Sequence, residues 1–188
     1  LGLSGLAKRL EALGGALPVR PRCGGLLSAT LGTAVADLLG MGEMMLLMAA
    51  EPGMVHQVTR HVADAVAAAN RMLAEEGLLD RNNDAPMTCS DDFGPASAGA
   101  AVGPGNLWCA VNSQEYDQVS PAMWREFCLD YQLPLLAPFG RVAYGCCENL
   151  THKLDDVLAI PNLRIIVCSA WTSLDAVLAK AGPEQVIM

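Results

Sequence analysis

Clusters of positive charge are missing from this sequence. Twelve Lys and Arg stand against twenty Asp and Glu, for a net charge of −8, and no basic run occurs. That argues against a nucleic-acid partner, which needs grouped Lys and Arg to meet phosphates. Charge of either sign is scarce, 17% against about 25% in ordinary domains, and aromatics make up only 5%. Long apolar runs are missing too. The longest, near residues 38–50, is broken by Gly40, Gly42 and Glu43 and is too short to cross a bilayer. The first thirteen residues carry Lys8, Arg9 and Glu11 on an amphipathic pattern, unlike a signal peptide. The seven cysteines form no disulfide framework, and adjacent Cys146 and Cys147 are awkwardly placed to pair with each other. A reduced, soluble, cytoplasmic protein is therefore expected, with no membrane partner. Nucleophile-elbow and dinucleotide motifs are absent, as are CxxC and HxH spacings and any internal repeat. Gly103-Pro104-Gly105 lacks the following helix and Lys of a phosphate loop.

What remains is an apolar chain of 188 residues, 52% hydrophobic, long enough for one domain over residues 1–188 with a real core. Residues 3–13 read as a helix ending at Gly14-Gly15, and residues 18–28 as an extended stretch with a strand at 19–22. A Met-rich helix is expected over 37–48, its methionines filling core space. The clearest element is a helix over 52–76, with Pro52 in the first turn and apolar residues at helical spacing. His56 and His61 on it read as solvent-facing or satisfied. A short strand over 85–89 leads to Asp91, Asp92 and Phe93, and 94–106 reads as a long loop. Ser120-Pro121 opens another helix running to about residue 136. The last third alternates: strand 141–144, helix 150–159, strand 163–168, helix 173–181, strand 185–188. That rhythm predicts parallel βαβ units in an α/β fold. The chain starts without Met and stops on an uncovered strand, so a longer parent or a covering partner is expected.

In such folds, reactive groups gather past the carboxyl ends of strands. Tyr144-Gly145-Cys146-Cys147-Glu148 occupies such a place. His152 follows Glu148 by four residues and would share its face on a helix. Thiolates, imidazole and carboxylate together form a ligand set that zinc accepts, and a helix N-terminus favours thiolate. The alternative is that both cysteines are small residues packed under a helix. Asp91 and Asp92 could serve as acid or base, or hold an amine or pyrrole N–H; otherwise they form a solvated turn. All five residues Asp91, Asp92, Cys146, Cys147 and Glu148 are expected to converge on one pocket. Cys168 reads as a buried thiol at a strand end and Ser173 as a helix cap.

Several runs carry a family resemblance: Leu39-Gly40-Met41-Gly42-Glu43, Glu51-Pro52-Gly53-Met54-Val55-His56, Val119-Ser120-Pro121-Ala122-Met123, Tyr144-Gly145-Cys146-Cys147-Glu148 and Ile160-Pro161-Asn162-Leu163-Arg164. Together they resemble the uroporphyrinogen-decarboxylase-like superfamily, closest to a divergent bacterial branch. The resemblance implies a partial (β/α)8 TIM barrel, about strands four to eight. It also implies either cofactor-free decarboxylation of an acidic substrate or zinc-assisted methyl transfer involving a corrinoid protein or a thiol. In the zinc enzymes a His-x-Cys supplies two ligands. Here Tyr144 takes the His place and Cys146 the Cys place, so Cys147, Glu148 or His152 would complete the set. The expected function is zinc-assisted methyl transfer on a small-molecule substrate, with Asp91, Asp92, Tyr144 and Glu148 as catalytic groups. Cys146, Cys147, Glu148 and His152 are the expected metal ligands. The alternatives are the decarboxylase and a non-catalytic partial-barrel subunit. Open strand edges imply an oligomer, or a partner carrying the rest of the barrel.

Overall fold

A computed structural model describes residues 3–14, 27–83, 91–93 and 102–188. Five parallel strands form one sheet in the order β1 (Leu27–Ser28), β2 (Trp108–Val111), β3 (Arg141–Tyr144), β4 (Leu163–Ile166) and β5 (Val186–Ile187). The fold is α/β. The alternation expected for the last third is present, with β3, β4 and β5 parallel. The strands expected over 19–22 and 85–89 lie outside the described residues.

Side chains alternate across the sheet, and two apolar clusters result. Cys109, Val111, Val142, Tyr144 and Ile166 join the helices in the main core. Trp108, Ala143 and Ile165 form a smaller cluster on the opposite face, with Phe93 and Val167 against it. A register shift between Val142 and Ala143 pairs Val142 with Leu163 but Ala143 with Ile165. Arg164 is thereby left over as the bulged residue, and Ile165 stays on the face of Ala143.

The helices obey local chemistry. α1 spans Leu3–Gly14. α4 (Pro52–Glu75) starts with Pro in the first turn and buries Val55, Thr59, Val62 and Ala63. It ends in a Schellman arrangement around Gly77 (φ +63), in which the Leu78 N–H donates to the Leu73 carbonyl at 2.9 Å. α5 (Pro121–Trp124) is capped by Ser120, whose hydroxyl accepts from the Met123 N–H. It continues through one π turn, Arg125–Leu129, into α6 (Asp130–Leu136). α7 covers Leu154–Leu158, and α8 (Leu174–Lys180) is capped by Ser173 as expected.

Three expectations need correction. The helix read over 37–48 is two, α2 (Gly32–Leu39) and α3 (Met41–Ala50), meeting at 90°. Gly40 adopts φ +85, which ends one helix and re-aims the chain into the next. Met44 and Met48 are core filler, as expected, while Met41 is exposed. The helix read over 150–159 begins only at Leu154, because Asn149 accepts the Thr151 N–H in a local turn. Strand β2 was not expected at all. Trp108 and Cys109 are buried on opposite faces, so the strand shows no polar alternation. Among the described residues no single helix is long and apolar enough to cross a membrane.

Gly145, directly after β3, has φ +114, and a Cβ there would lie 2.7 Å from the Val167 carbonyl oxygen. Gly145→Ala is therefore expected to lower unfolding free energy by about 2 kcal/mol or more. Denaturant unfolding monitored by far-UV circular dichroism checks this.

Candidate functional site at the carboxyl ends of the strands

Residues 145–149 turn sharply after β3, and Glu148 organises that turn. Its side chain is buried. One carboxylate oxygen accepts the Ser113 N–H at 2.7 Å and the Ser113 hydroxyl at 3.3 Å. The other accepts the Cys146 N–H at 2.9 Å. Its main-chain carbonyl accepts the hydroxyls of Ser169 (2.8 Å) and Thr172 (3.2 Å). Glu148 thus joins the chain leaving β2, β3 and β4. Thr172 is buried as well, and its hydroxyl oxygen accepts the Leu150 N–H at 2.9 Å.

Both oxygens thus accept hydrogen bonds that hold the turn, a structural part beside the metal and catalytic roles expected of Glu148. Tyr144 is withdrawn from the site. It is fully buried, packs edge-on to Trp124 with centroids 6.3 Å apart, and donates its hydroxyl to Gln132 at 3.3 Å. Gln132 in turn donates to the Asn112 carbonyl. Burial lifts the Tyr144 phenol well above its ordinary range.

His152 does not share a face with Glu148, because the intervening residues form turns rather than helix. It borders a separate pocket of about 170 Å³ with Asp117, Asn149 and Lys153. Lys153 had no signal in the sequence. It is nearly fully buried, donates to the Tyr116 carbonyl at 2.9 Å and lies 5.3 Å over the Trp124 ring. Burial lowers its pKa, while the charges of Asp117 and Glu148 oppose that shift.

Asp91 and Asp92 are not at this end of the sheet. Asp91 pairs with Arg164, whose guanidinium also meets the Glu184 carbonyl, beside Arg141 and Asn162 at the amino ends of β3 and β4. Asp92 pairs with Arg81 at 3.6 Å. Phe93 follows, edge-on to Trp108 and 5.5 Å beneath the Arg141 guanidinium. The single shared pocket expected for these acids and Cys146 is therefore contradicted. The acids stand instead at the amino rim, opposite the end of the sheet that carries Cys146.

Cys146 and Cys147 remain. Both are exposed, with sulfurs 3.6 Å apart. Two thiolates on one tetrahedral zinc with bonds of ~2.3 Å stand about 3.8 Å apart, so the pair could supply two ligands. Glu148 is engaged by Ser113 and Cys146, and His152 borders another pocket. Among the described residues no group of three or more His, Cys, Asp and Glu side chains is placed to hold a metal. Cys168 makes only long sulfur contacts, to the carbonyls of Ser169 and Thr172, and packs partly against the core. No family model, curated protein or solved structure matches this chain.

The Cys146 thiol is pushed above its ordinary pKa, first by its hydrogen bond to Cys147, then by partial desolvation and the charges of Cys147 and Glu148. Thiolate is the nucleophile, so alkylation of Cys146 by iodoacetamide is expected to rise with pH through a midpoint above the usual thiol value. Cys147→Ala removes the largest cause and should move that midpoint down. Peptide-resolved mass spectrometry across pH reads both outcomes.

Proposed function

We propose that this chain is the later part of a uroporphyrinogen-decarboxylase-like (β/α)8 barrel. In this reading it acts on a small molecule by methyl transfer centred on the Cys146 and Cys147 thiols. The observation that carries the reading is the exposed thiol pair directly past the carboxyl end of a parallel strand, where such folds place their chemistry. The sequential parallel order of the five strands supports the barrel, since it is the order of a singly wound sheet.

The roles follow from what each residue has free. Glu148 fixes the turn through the Cys146 N–H and the Ser113 N–H. Gly145 allows the backbone to turn against Val167. The two thiols share a hydrogen bond, and the Cys146 proton is lost to solvent. The sulfur then attacks the methyl carbon, and the donor departs with the bonding electron pair. Decarboxylation is the weaker reading, because Asp91 and Asp92, the acids expected to grip a pyrrole, are paired with Arg164 and Arg81 at the other rim. No step is assigned to zinc. A corrinoid is the methyl donor that the resemblance suggests, and the edges of β1 and β5, unpaired among the described residues, are where further barrel strands or a partner would join.

Incubation with methylcobalamin at mildly alkaline pH, followed by peptide mass spectrometry, tests the reading. Wild-type protein is expected to gain one methyl group at Cys146, and Cys146→Ser to gain none at that position. Unmethylated wild-type protein that instead releases carbon dioxide from a porphyrinogen would reverse the order of the two readings.

A further inference from the structure

The Cys146–Cys147 turn is fixed from several sides while leaving its two sulfurs free. The Cys146 N–H is held by Glu148, whose carboxylate is itself anchored on Ser113. Glu148's own carbonyl is held by Ser169 and Thr172. Gly145 is pressed against Val167 closely enough to exclude any side chain. The next residue, Asn149, donates its N–H to the Asp117 carboxylate at 2.6 Å. The backbone of the turn is thereby held, and the groups it presents outward are two thiols 3.6 Å apart.

That spacing selects among ligands. A disulfide needs the sulfurs at about 2.05 Å, well inside the 3.6 Å at which they stand. A closed zinc site needs four donors, and the described residues offer no third His, Cys, Asp or Glu beside the pair. A soft centre satisfied by two sulfurs, with its remaining position filled from outside the protein, fits both limits.

We propose that Cys146 and Cys147 form a preorganised chelating site for trivalent arsenic, as an arsonous species R–As(OH)2. The reaction balances without oxidant or reductant. Two As–O bonds break, two As–S bonds form, and each thiol proton leaves with a hydroxide as water. Arsenic stays trivalent. Because the bonds form by exchange, the raised proton affinity of Cys146 slows capture without preventing it. The site uses the same thiols as the methyl-transfer reading but needs no methyl donor, so either can fail alone.

The test is intact-protein and peptide mass spectrometry of the reduced chain with phenylarsine oxide, in excess glutathione to strip arsenic held by one sulfur. Wild-type protein is expected to retain one phenylarsine group on the peptide carrying both cysteines and to release it to a small dithiol. Cys146→Ser and Cys147→Ser should each weaken retention by about a hundredfold or more, the scale gained by joining two binding groups. Cys168→Ser should retain the adduct. Far-UV circular dichroism of each variant separates loss of the site from loss of the fold, and the wild-type peptide map stands even where a variant unfolds. Absence of the adduct from wild-type protein, its location on another peptide, or its retention in both single variants would overturn the proposal.

Discussion

The carboxylate of Glu148 sits where three strands release their chains, and it accepts hydrogen bonds from two of them. Taking a carboxylate out of water is costly unless donors replace the lost hydration. Here the Ser113 N–H, the Ser113 hydroxyl and the Cys146 N–H do so. Hydrogen bonds to a charged acceptor contribute more than neutral ones, about 1.5–3 kcal/mol each. The main-chain oxygen of the same residue, held by Ser169 and Thr172, brings in the third strand end. Short strands of two to four residues carry few ladder bonds of their own, so side-chain ties across their ends matter more than in a broad sheet.

The two rims of the sheet are therefore built for different purposes. At the amino rim, opposite charges neutralise each other: Asp91 with Arg164, and Asp92 with Arg81, around the Phe93–Trp108 contact. Such pairing locks the segment carrying Phe93 against the smaller apolar cluster, and stability is the usual role of that rim. At the carboxyl rim the polar atoms of Glu148 are directed to protein partners, while the thiols of Cys146 and Cys147 face outward. Tyr144, Gln132 and Lys153 belong to the packing beneath that rim, their polar atoms directed to protein partners.

Much of the helical framework was legible because it is written in local chemistry. Pro52, Ser120 and Ser173 mark helix starts, and Gly77 marks an end, whatever the tertiary context. The strand–helix rhythm of the last third was legible for the same reason. The sheet's second strand was not, since a run buried on both faces has no period to read. The bend at Gly40 was hidden because a Gly inside an apolar run does not declare its φ. The thiol pair was found by its place after a strand. The structural part that Glu148 plays was not legible, because it depends on Ser113, 35 residues earlier in the chain. Asp91 was misplaced for a similar reason: its partner Arg164 is 73 residues away, and no spacing rule reaches that far.

The claim that one buried carboxylate holds the carboxyl rim together is tested most directly by native-state hydrogen exchange of Glu148→Ala beside the wild type. Removing the carboxylate leaves the buried Ser113 N–H without its acceptor, at a cost of about 1–3 kcal/mol. The Ser113 and Cys146 amides should then exchange markedly faster, while amides at the amino rim, such as Arg141 and Leu163, keep protection in line with the global loss of stability. Unchanged protection at Ser113 and Cys146 would contradict the account.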